Sequence, residues 1–315
     1  MANMMALRAH ARGGPEQLVY EQAPAPSAGP GEVLIAVHAA AITFAELTWD
    51  LEWTTRDGKD RTPVIPSHEM SGIVADVGAG IADVVGLAAG DEVIGLIDFD
   101  RDGAAAEYVV MPGAGLAAKP QSLSHAAAAA LPLAALTAWQ ALVDHAELQP
   151  GEEVLVQGGA GGVGMFAVQL ASIFGGHVTA TGRGADADFV RDLGADRYIS
   201  IDGERPSQAA GGFDVVIDTV GGAVLEGSYG LLREGGRLVT LGAPPDQELA
   251  GRYKVHAMFF VVAPDANELA RLAELTDTGR LRAVISQTFP LAEGQKAFES
   301  GEGARRPGKT VLVVR

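Results

Sequence analysis

The sequence predicts an α/β protein built from a barrel-like β domain and a doubly wound parallel sheet. Three observations predict it: closely spaced strands in the first third, strands alternating with helices from about residue 124, and a glycine fingerprint at one strand-to-helix turn. In the first part, apolar runs at 33–37, 72–77, 91–97 and 106–110 are separated by Gly and Pro turns, the pattern of a small barrel. In the second part, strands are predicted at 154–156, 177–181, 213–218 and 236–241, with helices at 164–174 and 186–193. That βαβ order implies parallel pairing, because a crossover helix returns the chain to the same sheet edge. A further strand at 258–262, a helix at 268–276 and a last strand at 309–314 follow, the last returning to the first domain.

Composition narrows the function. The 315 residues are 48% hydrophobic and 20% charged, as expected for a globular chain of about two domains. The 23 basic and 40 acidic residues give a formal charge of −17, which disfavours nonspecific binding to nucleic acid or anionic lipid. Cysteine is absent, so disulfides, thiolate nucleophiles and Cys-based zinc sites are excluded. No apolar leader follows Met1, and the expected location is the cytoplasm. The least charged stretch, 126–143, is long enough to raise the question of a membrane span. Its alanine content, Pro132 and Gln140 point instead to a buried helix pair.

The chemistry sits at residues 154–164. Gly159, Gly161 and Gly164 form G-x-G-x-x-G directly after an apolar strand and at the start of a helix. The first glycine allows the tight turn, the second lets backbone approach a pyrophosphate, and the third lets helix and strand pack closely. The helix N-terminus then offers unpaired N–H groups to the phosphates. NAD sites usually carry an acid at the end of the second strand. Here the strand ends Thr181-Gly182-Arg183-Gly184. Arg183 suits a 2′-phosphate, with Thr181 adding a hydroxyl, so NADP(H) is the expected cofactor. Alternatively, Arg183 is a solvated residue paired with Asp186 or Asp188. Tyr198 is placed either beside the adenosine or in the core.

Gly31-Glu32-Val33-Leu34, Pro66-Ser67-His68-Glu69-Met70-Ser71-Gly72, Gly90-Asp91-Glu92-Val93, Ala106-Glu107-Tyr108 and Leu136-Thr137-Ala138-Trp139 precede the fingerprint in that order. Leu193-Gly194-Ala195-Asp196 and Gly308-Lys309-Thr310-Val311 follow it. With these motifs, nearly the whole chain resembles the medium-chain dehydrogenase/reductase superfamily, in its zinc-independent quinone oxidoreductase (zeta-crystallin-like) branch. The resemblance implies a GroES-like catalytic domain at 1–122 and 265–315 and a Rossmann NADP(H)-binding domain at 123–264. It also implies a homodimer.

By the same resemblance, Leu133 and Thr137 lie near the nicotinamide ribose, and Gly161, Gly162 and Val163 meet the pyrophosphate. Thr181 and Arg183 meet the 2′-phosphate. Val220, Leu241 and Gly242 flank a ribose, while Phe259, Phe260 and Val261 present backbone to the carboxamide. In zinc-dependent relatives a His-Glu pair like His68-Glu69 supplies a metal ligand together with Cys. The segment preceding it here, 39–46, has no Cys, so zinc would have to draw on Glu46, Asp50 and Glu69. The reading taken is a polar pair at the cleft edge without metal. The substrate pocket is expected to include Thr43, Trp49, Trp53 and His68. Trp49 and Trp53, four residues apart, either form an aromatic wall for a planar acceptor or simply pack. No catalytic acid is assigned; the candidates are Thr43, Asp50 and His68.

Together these readings describe an NADPH-dependent reductase passing hydride to a quinone or α,β-unsaturated carbonyl compound without zinc. Two alternatives stand beside it. One is a pathway-specific enoyl or ketone reductase of natural-product synthesis, motivated by the unusual 43–53 segment. The other is a noncatalytic NADPH-binding regulatory protein.

Overall fold

The computed structural model describes residues 3–80, 86–202, 211–301, 303 and 306–315. The strands are β1 (Asn3–Ala9), β2 (Leu18–Pro24), β3 (Glu32–Ala41), β4 (Glu69–Val77), β5 (Glu92–Leu96), β6 (Tyr108–Pro112), β7 (Leu116–Ala118), β8 (Glu153–Gln157), β9 (His177–Gly182), β10 (Arg197–Ser200), β11 (Phe213–Asp218), β12 (Leu232–Thr240), β13 (His256–Phe259), β14 (Ile285–Pro290) and β15 (Lys309–Val313). The chain divides into two compact units. One joins Met1–Leu136 to Ala263–Arg315, and the other is Thr137–Val262.

In the first unit β3 is the centre. It pairs antiparallel with β4, β6 and β15, and the sheet runs β14-β15-β3-β4-β5-β7. Alternate residues of β3 point into the core, Val33, Ile35 and Val37 among them, the period of two expected of a strand with one buried face. The C-terminal strand does return to this unit, as β15 between β3 and β14. A second core forms around β1, β2, Trp53 and Phe298.

In the second unit six parallel strands run in the order β10-β9-β8-β11-β12-β13. The chain moves outward from β8 through β9 to β10, then back past β8 to β11, β12 and β13. The strand order therefore reverses between β8 and β11, and in open α/β sheets ligands bind beside the strand C-termini at such a switch point. Helix Gly164–Ile173, buried from Gly164 to Ala171, packs against β8 and β9.

Three expectations need correction. The alanine-rich segment after Ser124 belongs to the first unit, not the nucleotide domain, because Ala129 and Ala130 pack against Ala39, Ala41 and Val311. The boundary therefore falls after Leu136 rather than at 122, and the second falls before Ala263 rather than after 264. The strand expected at 258–262 is instead β13. Lys254, at φ 55°, ends helix Gln247–Tyr253 and turns the chain straight into it, leaving Phe260 and Val261 beyond its C-terminal end. The helical run His125–His145 is long and apolar enough to cross a membrane, but 78% of its most apolar window is buried within the protein.

Candidate active site

The nucleotide-binding edge is built at the C-terminal ends of the parallel strands. Gly158 closes the turn after β8 at φ 79°, a left-handed conformation that glycine adopts without strain. The Gly161 N–H donates to the Gly158 carbonyl at 3.0 Å, so this amide shapes the loop rather than facing a ligand. The amides of Gly162 and Val163 take no partner among the described residues and stand at the N-terminus of the ten-residue helix. Gly164 is fixed by contact: a Cβ there would lie 2.0 Å from the Gly158 oxygen. Gly159 is similarly crowded, a Cβ meeting Ala180 at 2.9 Å.

The next strand ends supply the rest of this edge. Val220 follows β11 and is 55% exposed; Gly242, Phe259 and Val261 are also exposed, at or beyond the ends of β12 and β13. Leu241 and Phe260 are half-buried beside them. A row of exposed apolar side chains at the switch point suits the apolar ring faces of a dinucleotide. The expected residues from β8, β11, β12 and β13 therefore do gather along one edge.

Thr181 departs from expectation. It is 2% exposed, and its hydroxyl donates to Gln157 Oε1 at 3.0 Å while accepting from the Gly158 N–H at 3.3 Å. It braces the glycine loop and has no free hydroxyl proton for a phosphate. Arg183 is exposed and forms no ion pair among the described residues; Asp188 pairs with Arg191 at 3.4 Å instead. Tyr198 sits beneath this turn, donating its phenol proton to the Arg183 carbonyl at 2.5 Å. Burial, helped by Asp186 and Asp202, pushes that phenol up to about 12. Burial raises Asp186 as well, while Arg183 pulls it down. Asp202 accepts from the Gly184 N–H at 2.6 Å, fixing the loop that presents Arg183. Leu133 and Thr137 stand one turn apart on helix Pro132–Gln140, both buried.

The first unit holds a buried polar cluster. His68 and Glu52 are fully buried, with Nε2 and Oε2 2.8 Å apart. Glu69 binds Lys309 Nζ through Oε1 at 2.6 Å and accepts the Leu133 N–H through Oε2 at 2.9 Å. Lys309 also donates to Thr43 Oγ1 at 3.4 Å. Glu46 is 1% exposed and neither carboxyl oxygen has a hydrogen-bond partner. Burial, then the neighbouring Glu52 carboxylate, holds Glu46 well above the usual carboxylate range. Ser67, at φ 72°, forms the turn that feeds His68 into this interior.

This arrangement corrects four assignments. His68 is not at an open edge; it is sealed against Glu52 and the Phe99 ring, 4.8 Å centroid to centroid. Trp53 is 2% exposed in the core, its indole N–H donating to the Leu47 carbonyl at 2.9 Å. Trp49 meets Phe99 edge-on, so the two tryptophans form no common wall. The reason is that helix Asp50–Trp53 is a single turn, and Trp49 lies before it in extended backbone. Asp50 is 86% exposed at its side chain and pairs with Arg12 at 2.5 Å, apart from the cluster. Of the three catalytic candidates, only Thr43 joins buried machinery to a partly exposed position. Lys309 was missed by the sequence reading. Its signals were its place in the Gly308-Lys309-Thr310-Val311 motif and a lysine at the head of a largely apolar final strand.

An alcohol dehydrogenase GroES-like domain matches residues 29–121, and a zinc-binding dehydrogenase domain matches residues 193–312. The mitochondrial NAD(P)H oxidoreductase of Danio rerio is 31% identical over 90% of this chain and 84% of its own. A polyketide synthase protein of the spectinabilin system from Streptomyces orinoci is 36% identical over 93% of this chain, which spans 14% of that protein. The quinone oxidoreductase structure from Coxiella burnetii superposes with a TM-score of 0.91, at 32% identity, covering all of both chains. The chain belongs to the medium-chain dehydrogenase/reductase family. Within it, the protein is an oxidoreductase with the fold of an NAD(P)H-binding enzyme, and the glycine cradle fits that cofactor.

Zinc, which the second domain description implies, does not fit these residues. Cysteine is absent, and no three His, Asp or Glu side chains among the described residues converge to hold a metal. His68 Nε2 is engaged by Glu52, and Asp50 is held by Arg12.

Proposed function

We propose that the protein is an NADPH-dependent reductase that passes hydride to a quinone or an α,β-unsaturated carbonyl compound without a metal. The observation that carries the cofactor choice is Arg183, exposed at the end of β9 with no ion-pair partner among the described residues. Its guanidinium suits a 2′-phosphate, and Asp186, which it pulls down, forms no ion pair with it among the described residues. The likeness to a quinone oxidoreductase supports the acceptor class. NADPH, when bound, supplies the hydride. Gly162 and Val163 donate their amides to the pyrophosphate, and the helix N-terminus adds favourable field. Val220, Phe259 and Val261 shield the cofactor's apolar faces from water. Thr43 meets the acceptor oxygen as a hydrogen-bond donor, and Trp49 packs beside the acceptor. A cytoplasmic homodimer belongs to this reading and rests on the family resemblance; its size in solution tests the oligomer.

The experiment follows loss of the reduced-nicotinamide absorbance with NADPH and NADH in parallel. Acceptors are para-benzoquinone, phenanthrenequinone and simple enones, with and without chelator. Faster, chelator-insensitive oxidation of NADPH is expected. NADPH binding without oxidation by any acceptor would instead favour a noncatalytic role.

The likeness to a polyketide synthase protein favours one second reading, a dedicated enoyl reductase of natural-product assembly. It is distinguished by preference for acyl thioester enones over quinones in the same assay.

A further inference from the structure

Within the second unit, one side chain ties the glycine turn to the strands on either side of it. Gln157 is the last residue of β8 and is 1% exposed. The residues before it, Val154, Leu155 and Val156, are apolar and buried, as a central parallel strand requires. A buried amide at the end of such a strand must spend its donor and its acceptor inside the protein. Its Oε1 accepts the Thr181 hydroxyl of β9 at 3.0 Å, and its Nε2 donates to Ser228 Oγ, at the end of helix Gly222–Ser228, at 3.1 Å. Its backbone carbonyl accepts the Thr219 hydroxyl, one residue past β11, at 2.7 Å. Thr181 carries the connection into the turn. Its hydroxyl oxygen accepts the Gly158 N–H at 3.3 Å, and its carbonyl accepts the Gly159 N–H at 2.9 Å. On the other side, a Cβ at Gly158 would lie 2.7 Å from Thr219 Oγ1 and 3.0 Å from Val220 Cγ2. The strand order reverses between β8 and β11, so Gln157 spans the switch point with β9 on one flank and the residues after β11 on the other.

We propose that Gln157 is a positioning residue for the cofactor: it holds the glycine turn in register with the end of β9, so that the Gly162 and Val163 amides and the Arg183 guanidinium serve one and the same dinucleotide. This rests on the NADPH reading above. Arg183 follows Thr181 by two residues, and the turn amides follow Gly158 by four and five. The Gln157–Thr181–Gly158 chain of hydrogen bonds therefore joins the backbone that presents the guanidinium to the backbone that presents the amides. A pyrophosphate and a 2′-phosphate on one molecule demand both sets of donors at a fixed separation, and charge-assisted bonds lose strength when their geometry drifts. NADH asks only for the amides, so it tolerates a loosened register better than NADPH does.

The test compares Gln157→Met, Thr181→Val, their combination and the conservative Thr181→Ser in the full chain. Dissociation constants for NADPH and NADH are read by fluorescence titration, and Tm by calorimetry. Each of the first two changes is expected to weaken NADPH about tenfold and NADH no more than about threefold, while Thr181→Ser stays within about twofold of the parent for both. Tm separates positioning from packing. Thr181→Val leaves Gln157 Oε1 buried without its donor, and the double variant removes that orphaned oxygen, so its Tm should rise above that of Thr181→Val. NADPH binding in the double variant should nevertheless stay about tenfold weaker than in the parent, because one hydrogen bond has been removed from both of its ends. An NADPH dissociation constant within about twofold of the parent's in both single variants would overturn the inference. So would equal losses for the two cofactors, or NADPH affinity that recovers together with Tm in the double variant. A parent that binds NADH as tightly as NADPH would remove the cofactor reading and this inference with it, whereas a parent that prefers NADPH and variants that keep the preference would remove the inference alone.

Discussion

Gly164→Ala and Gly161→Ala separate the two tasks of the glycine loop. A methyl group added at Gly164 would be placed 2.0 Å from the Gly158 oxygen, 2.8 Å from its carbonyl carbon and 3.0 Å from the Gly159 Cα. All three are backbone atoms, so no side chain can rotate away. Restoring a contact of about 3.5 Å requires the loop and helix to separate by roughly 1.5 Å. That displacement strains the Gly161-to-Gly158 hydrogen bond, now 3.0 Å. Overpacking of this kind costs about 1–3 kcal/mol, or roughly 1.5–4.5 °C in Tm for a chain of 315 residues. A methyl group added at Gly161 meets only the Gly158 oxygen, at 3.3 Å, and Gly161 is exposed. Gly161→Ala should therefore leave Tm within about 2 °C while weakening NADPH about tenfold or more, its methyl standing where the pyrophosphate approaches. Scanning calorimetry and cofactor fluorescence measure the two effects. Equal Tm losses, or unchanged NADPH binding in Gly161→Ala, would refute the division of roles.

Arg183→Glu should weaken NADPH far more than NADH, and equal losses in cofactor titrations would remove the 2′-phosphate assignment. Trp53→Ala should destabilise by about 3–5 kcal/mol, the usual loss for a large buried aromatic, with acceptor KM unchanged below the new melting range. A normal Tm with a raised KM would return Trp53 to the acceptor pocket. Glu46 gives a pH prediction. Its raised pKa means that the folded protein keeps a proton that the unfolded chain releases once pH passes the ordinary carboxylate range. Stability from that proton is complete at low pH and is lost as pH climbs toward the raised value. Glu46→Gln, neutral at every pH, should flatten this part of the Tm profile; a slope equal to the parent's would contradict it.

The parallel sheet, the glycine loop and the returning final strand were legible because each depends on local signals. Apolar runs between glycine turns, a fixed G-x-G-x-x-G spacing and an apolar tail announce themselves within a few residues. Five strands went unread, β1, β2, β7, β10 and β14, and two of these are marginal. β10 and β14 lie at sheet edges, half-buried or exposed throughout, so their residues carry little apolar alternation. That the candidate nucleotide residues stand at the ends of the parallel strands was legible for the same reason, since they follow those strands in sequence order. Thr181 was misjudged because whether a hydroxyl faces a ligand or braces a loop depends on Gln157, a residue on the neighbouring strand.

Sequence alone thus determined the family, the order of the two units and the position of the glycine turn at the end of β8. Only the tertiary structure decided how the polar residues of the first unit are spent. His68 closes on Glu52 sixteen positions earlier, and Lys309 reaches Thr43 across 266 positions. Periodicity cannot report such pairings, because burial and charge neutralisation are settled by which strands become neighbours, and β15 joins β3 only when the chain has folded back on itself.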